Sequence, residues 1–378
     1  MTALCHPDHG ARLPRRSSEE LYRQKSEGGK DLLRYAPEAV MKKILIGMII
    51  LFFSAFTFAG TGTDAMSFLK INPSARGASI GDGFVSIVDD VNAVFYNPAG
   101  LSQLNDMQFS LMHMLYMAET SYEYASFAMP AGDNLSLGAY VIYLNYGSID
   151  KTTEDLNGVY SASNGSYNPS DMAVAISGSY KLGDLSIGLT AKYATETIDA
   201  VSISGVLFDA GILTNLMGIK VGATMCNVGT AGSDKAPMHA RLGGSGKLQI
   251  LAEEDLTVAA GADYVFAGGK VTASAGVEWK YENFLFLRGS YSPLSDADTL
   301  NLGLGFRQDL GGFIGEVAYN FSMLGDLGSA HRISVGVKLG DDNGNYNGKA
   351  KKKSISKITG TDNGSKQKSA LKYYFKKK

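Results

Sequence analysis

The sequence predicts an all-β protein, a transmembrane antiparallel β-barrel of about 14 strands preceded by an N-terminal segment outside the strand pattern. Three observations carry that expectation. Side chains alternate with period two through most of the chain, the alternating runs are long enough to cross a bilayer, and a secretory signal precedes them. Composition agrees, because only 19% of residues are charged against a typical ~25%, while 45 of 378 are Gly, a balance foreign to most soluble domains. Only one long apolar run occurs, which excludes a bundle of membrane helices.

That run follows Met41. Lys42 and Lys43 form a basic start, Ile44 to Phe53 are apolar, and Thr57-Phe58-Ala59 ends in a small residue before Gly60. Residues 41–59 therefore read as a cleaved signal peptide; as a membrane anchor the core would be only about half of a ~20-residue span. Residues 1–40 are polar and unpatterned and lie upstream of the methionine at which such a signal starts, so they read as a non-native extension. Cys5 falls in that extension, leaving Cys226 with no intrachain disulfide partner. The formal charge of −2 divides unevenly, with −11 on residues 41–340 and +8 on 341–378. The latter, rich in Lys, Gly, Ser and Asn, reads as a disordered periplasmic tail.

Residues 107–340 carry the barrel pattern. In Leu185, Ile187, Leu189, Ala191 and Tyr193 apolar side chains alternate with Ser186, Gly188, Thr190 and Lys192, and the same holds for 271–281, 300–307 and 332–339. Each run approaches the ~9–11 residues of a spanning strand, although 135–146 alternates poorly. Predicted connections are long at one end (147–169, 229–236, 293–299, 322–329) and short at the other (182–184, 216–217, 282–283), with 249–254 as a long exception. A soluble β-sandwich or propeller shares the period, but the signal, the strand length and the aromatics near strand ends (Tyr180, Tyr193, Tyr264, Trp279, Tyr281, Tyr319) favour a membrane barrel.

Residues 60–106 lack alternation, and their Asn-Pro steps favour turns over helix. They contain Asn72-Pro73-Ser74-Ala75-Arg76, then Gly81, Asp89-Asp90 with Ala93, and Asn97-Pro98-Ala99-Gly100-Leu101; the last strand opens with His331-Arg332-Ile333-Ser334. This order of motifs over residues 66–340 resembles the PorV/PorQ family of outer-membrane proteins, itself similar to FadL-type transporters. The resemblance implies a fourteen-stranded barrel closed or gated by the N-terminal segment at its periplasmic end, with Asn72 to Arg76 and Asn97 to Gly100 as the gating residues. Gly188, Gly222, Gly276, Gly303 and Gly336 lie on the lumen side, where they would either admit a plug backbone or only ease barrel curvature.

Lumen-side charges of both signs, Lys192, Asp209, Arg241, Asp263, Glu278, Lys280, Arg307, Glu316 and Arg332, would form paired or solvated ladders. His113, His239 and His331 show no metal-ligand spacing, so neither metal nor cofactor is expected. Gly243 to Lys247 fails as a phosphate loop because Arg241 and Leu248 occupy essential positions, and Tyr346 spoils a calcium loop at Asp341. Nothing supports catalysis or nucleic-acid binding. Two functions stay open: FadL-like passage of small hydrophobic compounds, or a barrel that engages secreted or surface proteins in a type IX-like secretion pathway. The partners are accordingly outer-membrane lipid and either a small hydrophobic ligand or a secreted protein. Inward positions carry few apolar residues, so the first is not established by the pattern.

Cleavage after Ala59 predicts that Edman sequencing of the membrane-inserted protein starts near Gly60; finding residues 1–40 on it would contradict this.

Overall fold

The computed structural model describes residues 64–340, except 233, 252–253 and 296–298. The signal peptide, the upstream extension and the Lys-rich tail lie outside the described residues.

The strands, in chain order, are β1 Met107–Leu115, β2 Ser121–Pro130, β3 Leu135–Asn145, β4 Ile149–Glu154, β5 Tyr160–Tyr167, β6 Ser170–Leu182, β7 Leu185–Ile198, β8 Val201–Leu216 and β9 Ile219–Ala231. There follow β10 Asp234–Lys235, β11 His239–Leu251, β12 Glu254–Val265, β13 Lys270–Tyr281, β14 Leu285–Tyr291, β15 Leu300–Asp309, β16 Phe313–Met323 and β17 Ser329–Leu339. Without β4, β5 and the two-residue β10, 14 strands remain, and each pairs antiparallel with the next in sequence. β17 then returns to β1, from Met107 opposite Leu339 to Leu115 opposite His331, so the barrel is closed and has no free edge. All its ladder hydrogen bonds are internal, as a lipid environment demands.

Burial alternates along the strands because the two faces meet different surroundings. On β1, Gln108, Ser110, Met112 and Met114 are buried, while Phe109, Leu111, His113 and Leu115 are exposed. Across the outer face apolar side chains stand unprotected, among them Leu111 at 63%, Ile176 at 67% and Leu189 at 68% exposure, far beyond the patches a water-facing sheet tolerates. Of the strand-end aromatics, Tyr180, Tyr193, Tyr281 and Tyr319 are exposed there, whereas Trp279 and Tyr264 are half-buried.

The structure departs from the sequence expectation in three places. The long connection 147–169 contains the β4–β5 hairpin, turned at Asp155, whose carboxylate accepts from the backbone N–H of Asn157 (2.8 Å) and Val159 (3.0 Å). The expected long connection at 249–254 is mostly strand, since β11 runs to Leu251 and β12 starts at Glu254. The region before β1 is helical rather than turn-like: 3-10 turns Ser67–Lys70 and Pro98–Gln103 flank helices α1 Ala75–Ile80, α2 Phe84–Ile87 and α3 Ala93–Tyr96. Helices this short leave many backbone groups without intrahelical partners, and wall side chains supply some of them, Ser334 to the Ala75 N–H, Ser274 to the Asp82 N–H and Gln108 to the Val91 N–H.

Residues 64–106 fill the lumen from end to end rather than sitting under one mouth. The Ala65 N–H donates to the Lys235 carbonyl (3.3 Å) and that of Met66 to Glu196 (2.6 Å), both at the long-loop end. At the short-turn end Lys220 donates to the Gln103 side chain. On strands all round the ring, wall glycines face the segment: a Cβ at Gly188 would overlap the backbone of Pro98 and Ala99, at Gly222 that of Val85, at Gly276 that of Ile80, and at Gly303 the Ser79 side chain. These positions need Gly for close approach. Gly336 is different, its nearest neighbours being Phe109 and Glu316 of the barrel wall.

Alternation alone predicts that Arg is costly at Val335, on the lipid side, and tolerated at Ser334, on the lumen side. The filled lumen corrects the second half, because the Ser334 hydroxyl accepts from the Ala75 N–H at 3.1 Å. Val335→Arg is expected to cost ~2–4 kcal/mol and to reduce the heat-modifiable barrel fraction on gels. Ser334→Arg should leave the barrel heat-modifiable but expose residues 64–106 to protease; equal loss of the barrel in both variants would contradict the assignment of faces.

Candidate functional site

The contact surface between the segment and the wall is built around Arg76. Asn72 and Pro73 bring the chain in extended form to Ser74, which caps α1 by accepting from the Gly77 N–H (3.2 Å). Arg76 then lies on α1, 8% exposed, with all three guanidinium nitrogens engaged. Nε and Nη2 donate to the two Glu278 oxygens at 2.8 and 2.9 Å, and Nη1 donates to Asp89 (2.6 Å) and Asp90 (2.8 Å). Glu278 is shared with Arg288 at 2.7 Å; Arg288 reaches Glu316 at 3.5 Å, and Glu316 also holds Arg307 at 2.8 Å. One buried chain of alternating charge therefore joins the segment to β13, β14, β15 and β16. A planar bidentate cation suits this role in a way Lys does not.

Burial works to raise the Asp89 carboxyl, but the Arg76 guanidinium outweighs it and brings the pKa down to about 2. Burial likewise works against the Arg76 charge, and Asp89, Glu278 and Asp90 overcome it, raising its pKa.

Asn97 secures the second motif. Its side-chain amide donates to the carbonyls of Val85 and Ile212, both at 3.0 Å, and its side-chain oxygen accepts from the Ala99 N–H at 3.1 Å. One residue thus ties α2, the wall strand β8 and the following turn together. Pro98 opens that turn as its first residue, where its missing N–H costs nothing. Gly100 packs against Val88, where a Cβ would lie 2.5 Å from the Val88 carbonyl oxygen, so the position needs Gly for space.

Of the other lumen charges, Lys192, Asp209, Arg241, Asp263 and Lys280 are paired within the wall. Lys192 meets Asp209 at 2.8 Å and also donates to Asn227. Asp263 holds His239 (2.8 Å) and Arg241 (2.9 Å), and Arg241 lies 5.9 and 5.8 Å from the ring centroids of Phe95 and Tyr96, a second contact with the segment. Lys280 pairs with Asp255 at the short-turn rim (2.7 Å). Arg332 donates to the Asn72 carbonyl (3.0 Å), Asn320 (2.9 Å) and Ser322 (2.6 Å). Arg288, Asn320 and Ser322 are lumen residues the sequence reading did not single out, although strand parity puts Arg288 on the same face as Phe286 and Ser290. Among the described residues no group of His, Cys, Asp and Glu could hold a metal.

Not all of the lumen is polar. β1, β2 and β3 turn Met112, Met114, Tyr122, Tyr124, Tyr140, Ile142 and Leu144 inward, all buried in one apolar cluster that includes the segment's Val94, Phe95 and Leu101. The Phe95 ring stands edge-on to Tyr124 (centroids 6.5 Å apart) and Tyr140 (5.8 Å). The poor hydropathy alternation of 135–146 follows: apolar side chains occupy both faces of β3, although its burial alternates cleanly.

No family model and no curated protein matches the chain. Similar solved structures include the Pseudomonas putida toluene transporter TodX (14% identity, covering 65% of this chain and 92% of that one, TM-score 0.45) and the CymD monoaromatic hydrocarbon channel (14%, 73% and 99%, TM-score 0.46). A Pseudomonas aeruginosa FadL homologue is similar at 11% identity, 75% and 100% coverage and a TM-score of 0.45. Likeness at this level assigns no activity to the chain.

Arg76→Met would leave Asp89 and Asp90 without their cation and Glu278 with Arg288 alone, weakening docking of the segment by ~3–5 kcal/mol. Limited proteolysis of the purified barrel should show the segment cleaved far faster, with little rescue in Arg76→Lys. Acid should act in the same direction. A carboxylate with a lowered pKa adds stability that is present above its ordinary ~3.9 and is lost as pH falls through the folded-state value of about 2, so protection of the segment should fade below about pH 4.

Proposed function

We propose that the chain is an outer-membrane barrel of PorV/PorQ type, exported through a cleaved signal peptide, which gives FadL-like passage or binding to small hydrophobic compounds and is gated by residues 64–106. The short-turn end then faces the periplasm and the long loops face outward. The observation that supports this best is the inward apolar strip of β1, β2 and β3. Met, Ile and Leu side chains offer nothing to an ion or a sugar, whereas an apolar solute needs a wall of that kind. In the closed state Val94, Phe95 and Leu101 of the gate occupy that wall.

A second reading, a non-transporting barrel that engages secreted or surface proteins, is supported by the β4–β5 hairpin, where Leu156 is fully exposed and Val159 and Tyr160 are 59% and 65% exposed. Removing residues 150–166 should, on this reading, abolish co-purification of exported proteins and leave probe uptake intact.

The test of the gate is Gly100→Val. The added side chain meets Val88 and should unseat the turn at Asn97, while the closed ladder keeps the barrel folded. The expected result is normal insertion with raised conductance in planar bilayers and faster uptake of a small apolar probe. A well-folded variant with unchanged conductance and uptake would count against the gate.

A further inference from the structure

We propose that the short-turn mouth carries a site for a compact oxyanion, a carboxylate or phosphate group, held by the Lys220 and Lys247 ammonium groups with the Ser245 and Thr257 hydroxyls. Strand register brings these four together. Lys220 of β9 lies opposite Ser245 of β11, and Lys247 of β11 lies opposite Thr257 of β12. All four share the face of Gly222, Gly243 and Gly261, which touch the gate segment, so they point into the lumen. Diagonal neighbours of this kind stand ~7–8 Å apart at the backbone, near enough for two Lys side chains to converge on one anion.

A hollow of about 180 Å³ opens between them, closed on the gate side by Ile87 and Asp89. It has ample room for a carboxylate or phosphate. The donors facing it are not consumed by internal partners. Among the described residues neither Lys forms an ion pair within 4 Å; Lys220 donates only to the neutral Gln103 amide oxygen. The carboxylates that face the pair are engaged elsewhere, Asp89 with Arg76 at 2.6 Å and Asp255 with Lys280 at 2.7 Å. With Asp89 held by Arg76, two ammonium groups that lack an ion pair and two hydroxyls line one hollow, and the N–H donors of Lys247 together with those Lys220 does not spend on Gln103 suit an oxyanion that accepts from them. The site deepens the passage reading, on which it rests for its role: it marks where the charged head of an amphiphilic solute pauses before leaving the gate. Free phosphate presents the same chemistry.

Calorimetry on the full-length protein in uncharged detergent tests this, with inorganic phosphate, hexanoate and hexanol as probes. Phosphate or hexanoate should bind with an affinity that falls as salt rises, and Lys220→Gln/Lys247→Gln should weaken it at least tenfold with heat modifiability unchanged. Hexanoate bound more tightly than phosphate identifies an amphiphile's head as the source, and the reverse identifies the free anion; both support the site. Equal binding by wild type and double variant, or no binding of either anion, overturns it, and if the double variant misfolds the two single variants decide. Oxyanion binding through these lysines, combined with unchanged uptake in Gly100→Val, would sink the passage reading and spare the site.

Discussion

Burial of the Arg76 guanidinium constrains the rest of the lumen. A cation held inside a closed barrel must be neutralised and fully hydrogen-bonded, which requires Asp89 and Asp90 to turn back toward α1 and Glu278 to reach in from β13. Glu278 drags in Arg288, and Arg288 drags in Glu316 and Arg307. The position of the segment, the charge pattern of four neighbouring strands and the small residues facing α1 are consequences of that one arrangement. Such a network discriminates strongly between docked and undocked states, since removing any member strands its partners in low dielectric.

Around that anchor the lumen divides into two sectors. The strands from β13 to β17 are polar and hold the segment by directional bonds, whereas β1 to β3 meet it mainly through apolar packing, with the Val91 N–H donating to the Gln108 side chain of β1 at 3.1 Å. Packing contacts are non-directional and tolerate sliding. The segment is therefore fixed along one side chiefly by charge and hydrogen bonds and along the other chiefly by packing.

The barrel was legible in the sequence because its physics is periodic. A wall strand with lipid outside and a polar lumen inside must alternate, and Leu185 to Tyr193 does so without exception. Legibility failed at β3, where Tyr140, Ile142 and Leu144 pack inward on an apolar partner, so hydropathy no longer marks the faces. It failed again across residues 64–106, where short helices owe their existence to tertiary burial rather than to amphipathic periodicity. The motif residues Arg76 and Asn97 could be picked out, but their partners could not. Pairing Arg76 with Glu278, 202 residues away, depends on strand register and closure, which local patterns do not encode. Gly100 is of the same kind, since the lack of space beside Val88 that requires Gly there shows only in the packed structure.

That the segment occupies the lumen from one mouth to the other bears on how the molecule comes into being. It is continuous with β1, and β1 is sealed by β17, the last strand made. A finished cylinder would have to be threaded by a folded, charge-bearing peptide, an improbable route for a buried cation with three carboxylates around it. Closure of the β1–β17 seam must therefore come with the segment already between the strands, which wrap round it like staves round a former. Final seam closure then traps it, and the glycines of the wall record its outline.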